Sequence, residues 1–453
     1  MDHSSSQGVS QRCTPPLPAA LAVRAGQPRI LIIGGGFAGA TLARKLERRL
    51  PYADITLLSQ ENYITYSPLL PEVVGASVLP SHVVAPLRQM VRHARVRTVR
   101  VTRIDLAAKQ VHYDGEGRGV FEYDHLVLAY GTQANLELTS GMARHALPLK
   151  SVGDALFLRN RIIAHLEQAE LADNEVARTW FTTFVVVGGG FSGVEVAGEI
   201  SDFLHASRAY YACLERKPRV VLIHSGNHLL PELPEVLGRF AERTLLKRGV
   251  EVLLNMRTKA VDERRVILNN AEQIVTGNVI CTIGTRANRL TEGLSVETLR
   301  DRIVTNPDMS VPGYPGVWAL GDCAAVPNAR DGAISSPTAQ FALRQARQLS
   351  GNLALSLQQR TTRAFNFKPK GVMSAIGHNR AVASVFGVNL AGFPAWLLWR
   401  GFYLLNVPTL ASKARLFLEW NWAMFFPPDT SHLRFTRTER QDVASGTHPD
   451  ETE

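Results

Sequence analysis

Two glycine-rich turns, set 154 positions apart, constrain this 453-residue chain more than anything else in it. The first follows the β-branched run Arg29-Ile-Leu-Ile-Ile33 and places Gly34, Gly36 and Gly39 in GxGxxG spacing, with Phe37 and Ala38 between them. Ala40 to Leu50 then reads as a helix, and Ile55-Thr-Leu-Leu58 as the next strand. The second copy follows Thr182-Thr-Phe-Val-Val-Val187, with Gly188, Gly190 and Gly193 in the same spacing, a long helix, and the strand Arg219-Val-Val-Leu-Ile-His224. In such a unit the first glycine permits the tight turn and the second lets backbone approach a pyrophosphate. The third lets helix and strand pack closely, while the helix N-terminus faces the phosphates. One copy alone is equally a plain tight turn. Two copies, each between a strand and a helix, predict an α/β chain with two Rossmann-like dinucleotide-binding domains.

Two dinucleotide folds in one chain imply two dinucleotides. The combination that uses both is FAD in one fold and a nicotinamide cofactor, NADH or NADPH, presented by the other. Two further segments fit that order. Tyr123-Asp-His-Leu-Val-Leu-Ala-Tyr-Gly-Thr132, with Gly131 in its turn, resembles the strand and turn that close an FAD domain. Val317-Trp-Ala-Leu-Gly-Asp322 resembles the late FAD motif, in which a strand ends at Gly321 and Asp322 accepts hydrogen bonds from the ribityl chain. Asp322 as an ordinary helix N-cap is the alternative. The expected layout is a disordered arm over 1–27, an FAD domain built from 28–150 and 275–365, and a nicotinamide domain over 151–274. A C-terminal module over 366–440 and a disordered tail over 441–453 complete it.

The formal net charge is +10, which suits nucleic acid, an anionic membrane face or an acidic substrate without choosing among them. No finger, RNP or helix-turn-helix pattern supports nucleic acid. The stretch Arg88 to Arg103 holds six arginines and no acid, and reads as the solvated face of a helix and strand. The four cysteines, Cys13, Cys213, Cys281 and Cys323, lie far apart, without zinc or CxxC spacing, and a reducing compartment is the default. No secretory signal or spanning helix is expected, because Phe393 to Leu410 is broken by Arg400, Gly401, Asn406 and Pro408.

Four of the six tryptophans, Trp396, Trp399, Trp420 and Trp422, fall within 27 residues, interleaved with Arg400, Lys413 and Arg415. Ser412, Arg415 and Glu419 form a polar stripe at helical spacing, with Ala414, Leu418 and Phe425 on a different face. Apolar bulk, aromatic rings and basic residues suit a helix lying in a membrane interface. A helix pair packed on the body, or a homodimer interface, is the alternative.

Taken in order, these segments resemble the type II NADH:quinone oxidoreductases, within the two-dinucleotide-fold disulfide reductase superfamily. The likeness runs from about Arg29 to Arg437. It includes Asn62-Tyr63 through Pro68-Leu-Leu70, Pro148 to Ala155, Ser336-Pro-Thr-Ala339-Gln340-Phe-Ala342, Ser374-Ala-Ile-Gly377 and Ala395 to Arg400. The resemblance implies a peripheral flavoenzyme on the cytoplasmic face of a membrane. It would pass hydride from NADH to FAD and two electrons on to quinone, without pumping protons. It also implies that Glu195 lies near the nicotinamide carboxamide, with Glu199 a weaker candidate one turn on, and that Gln340 contacts the quinone beside Ala339. As plain structure, Glu195 is an acid at a positive helix end and Gln340 a surface glutamine.

Three positions depart from the pattern. Ser59-Gln60 and His224-Ser225 stand where an acid commonly binds adenosine ribose, and Arg344 stands at the family's second glutamine. The missing acid at His224 leaves NADPH open, with Arg219, Lys217 or His228 as partners for a 2′-phosphate. A soluble reductase of a ferredoxin-like protein and a non-catalytic flavin sensor are the competing readings. Sulfide:quinone and disulfide reductases fall behind for want of a cysteine pair.

Overall fold

The computed structural model describes residues 26–115, 117–216 and 218–433. The expected arm, apart from residues 26–27, and the expected tail lie outside the described residues, as do Cys13 and Lys217. In chain order, β1 (Arg29–Ile33), α1 (Phe37–Arg49) and β2 (Asp54–Ser59) form the first glycine-loop unit, followed by α2 (Leu70–Val74), β3 (Arg95–Thr98) and β4 (His125–Leu128). Next come β5 (Ala146–Pro148), α3 (Val152–Glu170), β6 (Thr183–Val187), α4 (Phe191–Ser207), β7 (Arg219–Ile223), β8 (Val250–Leu253) and β9 (Asn278–Cys281). The chain returns through β10 (Val317–Ala319) and α5 (Ala339–Leu357). It closes with β11 (Gly371–Ala375), β12 (Ala381–Val385), β13 (Val388–Gly392), α6 (Phe393–Asn406) and α7 (Leu410–Trp422).

The first sheet is parallel, in the order β10-β4-β1-β2-β3. The second is also parallel, in the order β5-β9-β6-β7-β8. Each glycine loop leaves the central strand, β1 or β6, where the strand order changes direction. That is the crevice in which open α/β sheets take ligands. β6, Thr-Phe-Val-Val-Val, is buried at every residue, as a parallel strand covered on both faces must be.

The second sheet reaches beyond the expected 151–274. β9, expected in the first domain, pairs with both β5 and β6, so strands at 146–148 and 278–281 belong to the second sheet. The division by motif order missed this because a return strand carries no glycine signature of its own.

The C-terminal segment opens with a three-stranded antiparallel sheet, β11-β12-β13, before its two helices. It shares one core with α2, α3 and α4, into which Ile376, Val382, Trp396, Trp399, Leu416 and Trp420 are buried. The turn after β11 is tied to α4, where Arg248 bridges Asp202 and the His378 amide donates to Asp202 at 2.7 Å. A Cβ on Gly198 of α4 would lie 2.7 Å from the Gly377 nitrogen, so only glycine permits this approach.

The polar stripe on α7 divides: Arg415 is exposed, while Ser412 and Glu419 turn inward. Ser412 is buried, and Glu419 accepts from the Leu79 amide at 2.6 Å and pairs with His82. The outward face carries Leu410, Phe417, Leu418 and Trp422. α6 likewise turns Phe393, Leu397, Leu398, Phe402 and Leu405 outward while burying Trp396 and Trp399. No helix among the described residues is long and apolar enough to cross a membrane.

Candidate functional site

The two glycine loops have the same local build. Gly34 sits at φ +110° and Gly188 at φ +118°, the left-handed region that glycine tolerates. A Cβ on Gly39 would lie 1.9 Å from the Gly34 carbonyl oxygen, and one on Gly193 1.7 Å from that of Gly188. Those glycines close helix onto strand. Gly36 and Gly190 differ: a Cβ there meets nothing within 4 Å, and both residues are extended. Each is the N-cap of its helix, and neither helix has a side-chain cap or an acid in its first turn. The first amides of α1 and α4 thus lack a side-chain cap, and open space adjoins each N-cap glycine, a ready place for phosphate.

Around the first loop the expected FAD residues converge. A Cβ on Gly321 (φ +75°) would lie 3.1 Å from the Ala38 Cβ and 3.9 Å from that of Ala342, so the starts of α1 and α5 meet at this glycine. The Gly321 amide donates to Gln345 of α5 at 2.8 Å. Asp322 follows; burial raises its pKa, with Lys150 and Arg302 opposing. No hydrogen bond from a described residue reaches its carboxylate, so Asp322 is free to accept from a ligand's hydroxyls rather than serving as a cap. Ser59 closes the end of β2, buried against Gly35, and Phe37 meets Tyr66 edge-on at 5.6 Å. Gly131, at φ +66°, also faces open space. These groups fit a flavin dinucleotide: uncapped amides for pyrophosphate, an unpaired carboxylate for hydroxyls, and Cβ-free backbone at the approach.

At the second loop, His224 Nδ1 accepts from the Gly189 amide at 3.2 Å. The ring thus holds the glycine loop from the place where an acid commonly binds ribose. Burial lowers its pKa, which keeps the acceptor nitrogen unprotonated. Arg219 does not meet this region. It opens β7 at the far end of the strand and forms two hydrogen bonds of 2.8 Å with Glu251. His228 stays in the loop, with Nδ1 2.9 Å from the Leu229 carbonyl oxygen.

Glu195 lies on the second turn of α4, and its carboxylate turns to β11. Ser374 Oγ and the Ala375 amide both donate to Oε1 at 3.2 Å. Burial pushes its pKa up to about 8. Glu199, one turn on, accepts from Ser77 Oγ at 2.8 Å. A third carboxylate joins them: Glu72 of α2, which accepts from Trp420 Nε1 at 2.8 Å and is pushed up to about 7, first by burial and then by Glu199. Two cations lie near them: Arg248, which interacts with Glu199, and Arg400, 3.9 Å above the Trp396 ring and 4.9 Å from that of Trp420. Sequence reasoning missed Glu72, although a lone acid inside the apolar run Leu69-Leu-Pro-Glu-Val-Val74 was a legible sign.

Protons held by Glu72 and Glu195 in the folded chain leave them on unfolding wherever the pH exceeds the ordinary carboxylate range. Stability therefore falls as pH rises from about 5 toward 8, by about 1.4 kcal/mol per pH unit for each proton retained. Melting curves from mildly acidic to mildly alkaline buffer should show this slope in the wild type. In Glu72→Gln/Glu195→Gln it should be flatter, and equal slopes in the two proteins would exclude both groups.

Gln340 joins α5 to β11. Its Nε2 donates to the Gly371 carbonyl at 3.0 Å and its Oε1 accepts from the Lys370 amide at 3.2 Å, which leaves one N–H unused. Ala339 precedes it at the uncapped start of α5. Cys213, Cys281 and Cys323 are free and buried, and burial raises each thiol, Cys213 and Cys323 to about 12. None is a poised thiolate. Among the described residues no group of three or more His, Cys, Asp or Glu could hold a metal ion.

Residues 28–346 match the family model of the pyridine nucleotide-disulphide oxidoreductases. The chain is 31% identical to the type II NADH:quinone oxidoreductase Ndh of Mycobacterium tuberculosis, over 92% of this chain and 91% of the relative. It is 27% identical to the type II NADH:quinone oxidoreductase of Staphylococcus aureus, over 80% and 91% respectively. Its fold is similar to that of Plasmodium falciparum NDH2 in complex with NADH, with a TM-score of 0.84 at 20% identity, covering 89% of this chain and all of that one. A sulfide:quinone oxidoreductase of Aquifex aeolicus is more distant, at TM-score 0.66 and 16% identity over 87% of this chain. With both nucleotide cradles built alike and the relatives matched nearly end to end, the chain belongs to the type II NADH:quinone oxidoreductase family of pyridine nucleotide-disulphide oxidoreductases.

Proposed function

We propose that this chain is an FAD-dependent NADH:quinone oxidoreductase that works from a membrane surface. The observation that carries this reading is the pair of uncapped helix starts open at Gly36 and Gly190, one in each sheet. Bound FAD supplies the two-electron chemistry between nicotinamide and quinone. The chain's own residues bind, orient and hold protons. Gly34, Gly36 and Gly39 with the start of α1 take one pyrophosphate, and Asp322 accepts from hydroxyls of the same ligand. Gly188, Gly190 and Gly193 with the start of α4 take the other.

Glu195 is protonated at neutral pH and sealed from water, so it can hold a proton beside Ser374 for a reaction that consumes protons. The spare N–H of Gln340 suits a quinone carbonyl. The outward faces of α6 and α7 lie in the lipid interface, on the cytoplasmic face where NADH is supplied; a second copy of the chain is the other cover these faces could take. NADH is the first substrate. NADPH stands second, because no acid closes the end of β7 against a 2′-phosphate.

Purified protein should be yellow, bleach anaerobically with NADH, more slowly with NADPH, and regain colour on adding a short-chain quinone. Flavin that neither nucleotide bleaches would overturn the reading. Bleached flavin that a ferredoxin-like protein reoxidises and quinone does not would favour a soluble reductase.

A further inference from the structure

The outward sides of α1 and α5 form a basic ridge without balancing acids. Lys45 and Arg49 lie on α1, Arg344 and Arg347 on α5, and Lys370 on the approach to β11. No ion pair among the described residues involves any of them. The potential is felt at Lys45, whose pKa is lowered first by burial, then by Arg347 and three arginines of its own helix. The end of Arg49 lies against α5, since a Cβ on Gly351 would come within 2.9 Å of its Nη1.

A cleft of about 410 Å³ opens on this ridge, between Arg344, Arg347 and Gln348 of α5 and Phe365, Phe367 and Lys370 of the following segment. The Arg344 guanidinium lies 5.4 Å over the Phe367 ring, and Phe341 packs edge-on against Phe367 at 5.3 Å. The cation is thus held in place by a rigid floor, at little further entropic cost on binding an anion. Beside the cleft the tip of the β12–β13 hairpin is apolar and exposed. Phe386 is 79% exposed and Val388 58%, and the Phe386 amide donates to the Lys370 carbonyl at 3.1 Å.

We propose that this cleft binds the phosphate of an anionic phospholipid headgroup, with the hairpin tip entering the acyl boundary beside it. Unpaired cations above an aromatic floor select the phosphate. The adjoining apolar tip selects a phosphate carried on a lipid rather than one free in solution. The proposal rests on the membrane-surface reading above but uses residues other than those on the outward faces of α6 and α7.

The test is partition of the full-length holoprotein onto phosphatidylcholine vesicles with and without a phosphatidylglycerol fraction, at fixed salt. The wild type should prefer the anionic vesicles. In Arg347→Gln/Lys370→Gln that preference should fall about 10- to 30-fold, from about 1 kcal/mol for each basic group near the surface. Binding to neutral vesicles, flavin content and NADH turnover with a soluble acceptor should stay unchanged. Arg118→Gln/Arg264→Gln, which removes two exposed charges elsewhere, should keep the preference. An equal fall in that control, or no fall in Arg347→Gln/Lys370→Gln, overturns the site. Inorganic phosphate titrated into the wild type separates the sources: saturable binding that the variant loses, without any vesicle preference, overturns the lipid assignment. Wild type that binds both vesicles alike sinks only the headgroup site, whereas wild type that binds neither sinks the membrane reading.

Discussion

Gly36→Val should yield a folded, colourless protein, and Gly190→Val a folded, yellow one that NADH no longer bleaches at ordinary concentrations. The two positions are suited to this test because the protein itself leaves them room. A Cβ at either meets nothing within 4 Å, and both backbones are extended, with φ of −73° and −79°, where valine is at ease. The cost to the fold is the loss of a glycine N-cap, at most about 1 kcal/mol. What valine fills is the space through which a pyrophosphate reaches the orphan amides of α1 or α4. An isopropyl group there removes close backbone approach and several hydrogen bonds together. The expected loss of affinity is about 100-fold or more, roughly 2.7 kcal/mol. Gly39→Ala and Gly193→Ala are the contrasting variants, since their methyl groups would sit 1.9 and 1.7 Å from carbonyl oxygens of the chain itself. Those should lose the fold, flavin or no flavin. The measurements are flavin absorbance per protein, far-ultraviolet dichroism and anaerobic titration with NADH. A Gly36→Val protein that keeps its flavin would show that the first loop is only a turn.

The parts of the molecule legible in the sequence are those where local chemistry leaves little choice. Gly34 and Gly188 must take positive φ, Gly39 and Gly193 must lack a Cβ, and β6 must carry the apolar run Phe184 to Val187. Each constraint acts within a few residues of the motif and survives as a pattern. What was not legible depends on partners far away in sequence. β9 looks like any short apolar strand until β5 and β6 claim it. Arg219 looked available to a phosphate until Glu251, on the neighbouring strand, took it. The polar stripe of Ser412, Arg415 and Glu419 carries no sign of which way it faces. Glu419 is turned inward by the Leu79 amide and His82, more than 300 positions earlier. Glu72 carries a local sign, a lone acid in an apolar run, but its partner Trp420 is 348 positions away. Helical periodicity finds the two faces of a helix, and only tertiary partners decide which one is inside.

The burial of one face of α6 and α7 determines how membrane attachment has to be tested. Deleting the chain beyond about residue 369 would strip Trp396, Trp399 and Trp420 from a core they share with α2, α3 and α4, and would remove the Ser374 and Ala375 groups that hold Glu195. A protein so treated would leave the membrane because it no longer folds. The informative variant keeps the buried face and charges the outer one. Leu405, Leu418 and Phe425 are 74, 68 and 78% exposed. Glutamate at each costs the folded body little, since surface substitutions away from special features stay within about 0.5 kcal/mol. In lipid each such side chain contributes about 1–2 kcal/mol by burying its apolar area, and a carboxylate reverses that. The triple variant should therefore lose at least about 100-fold in partition onto neutral vesicles. It should keep its flavin, its melting temperature and its NADH turnover with a soluble acceptor. Turnover with a long-chain quinone embedded in vesicles should fall in step with binding. Sedimentation separates the remaining alternative. If the wild type is a dimer and the variant a monomer that still binds vesicles as tightly, the outward faces of α6 and α7 meet a second copy of the chain, and lipid is held elsewhere.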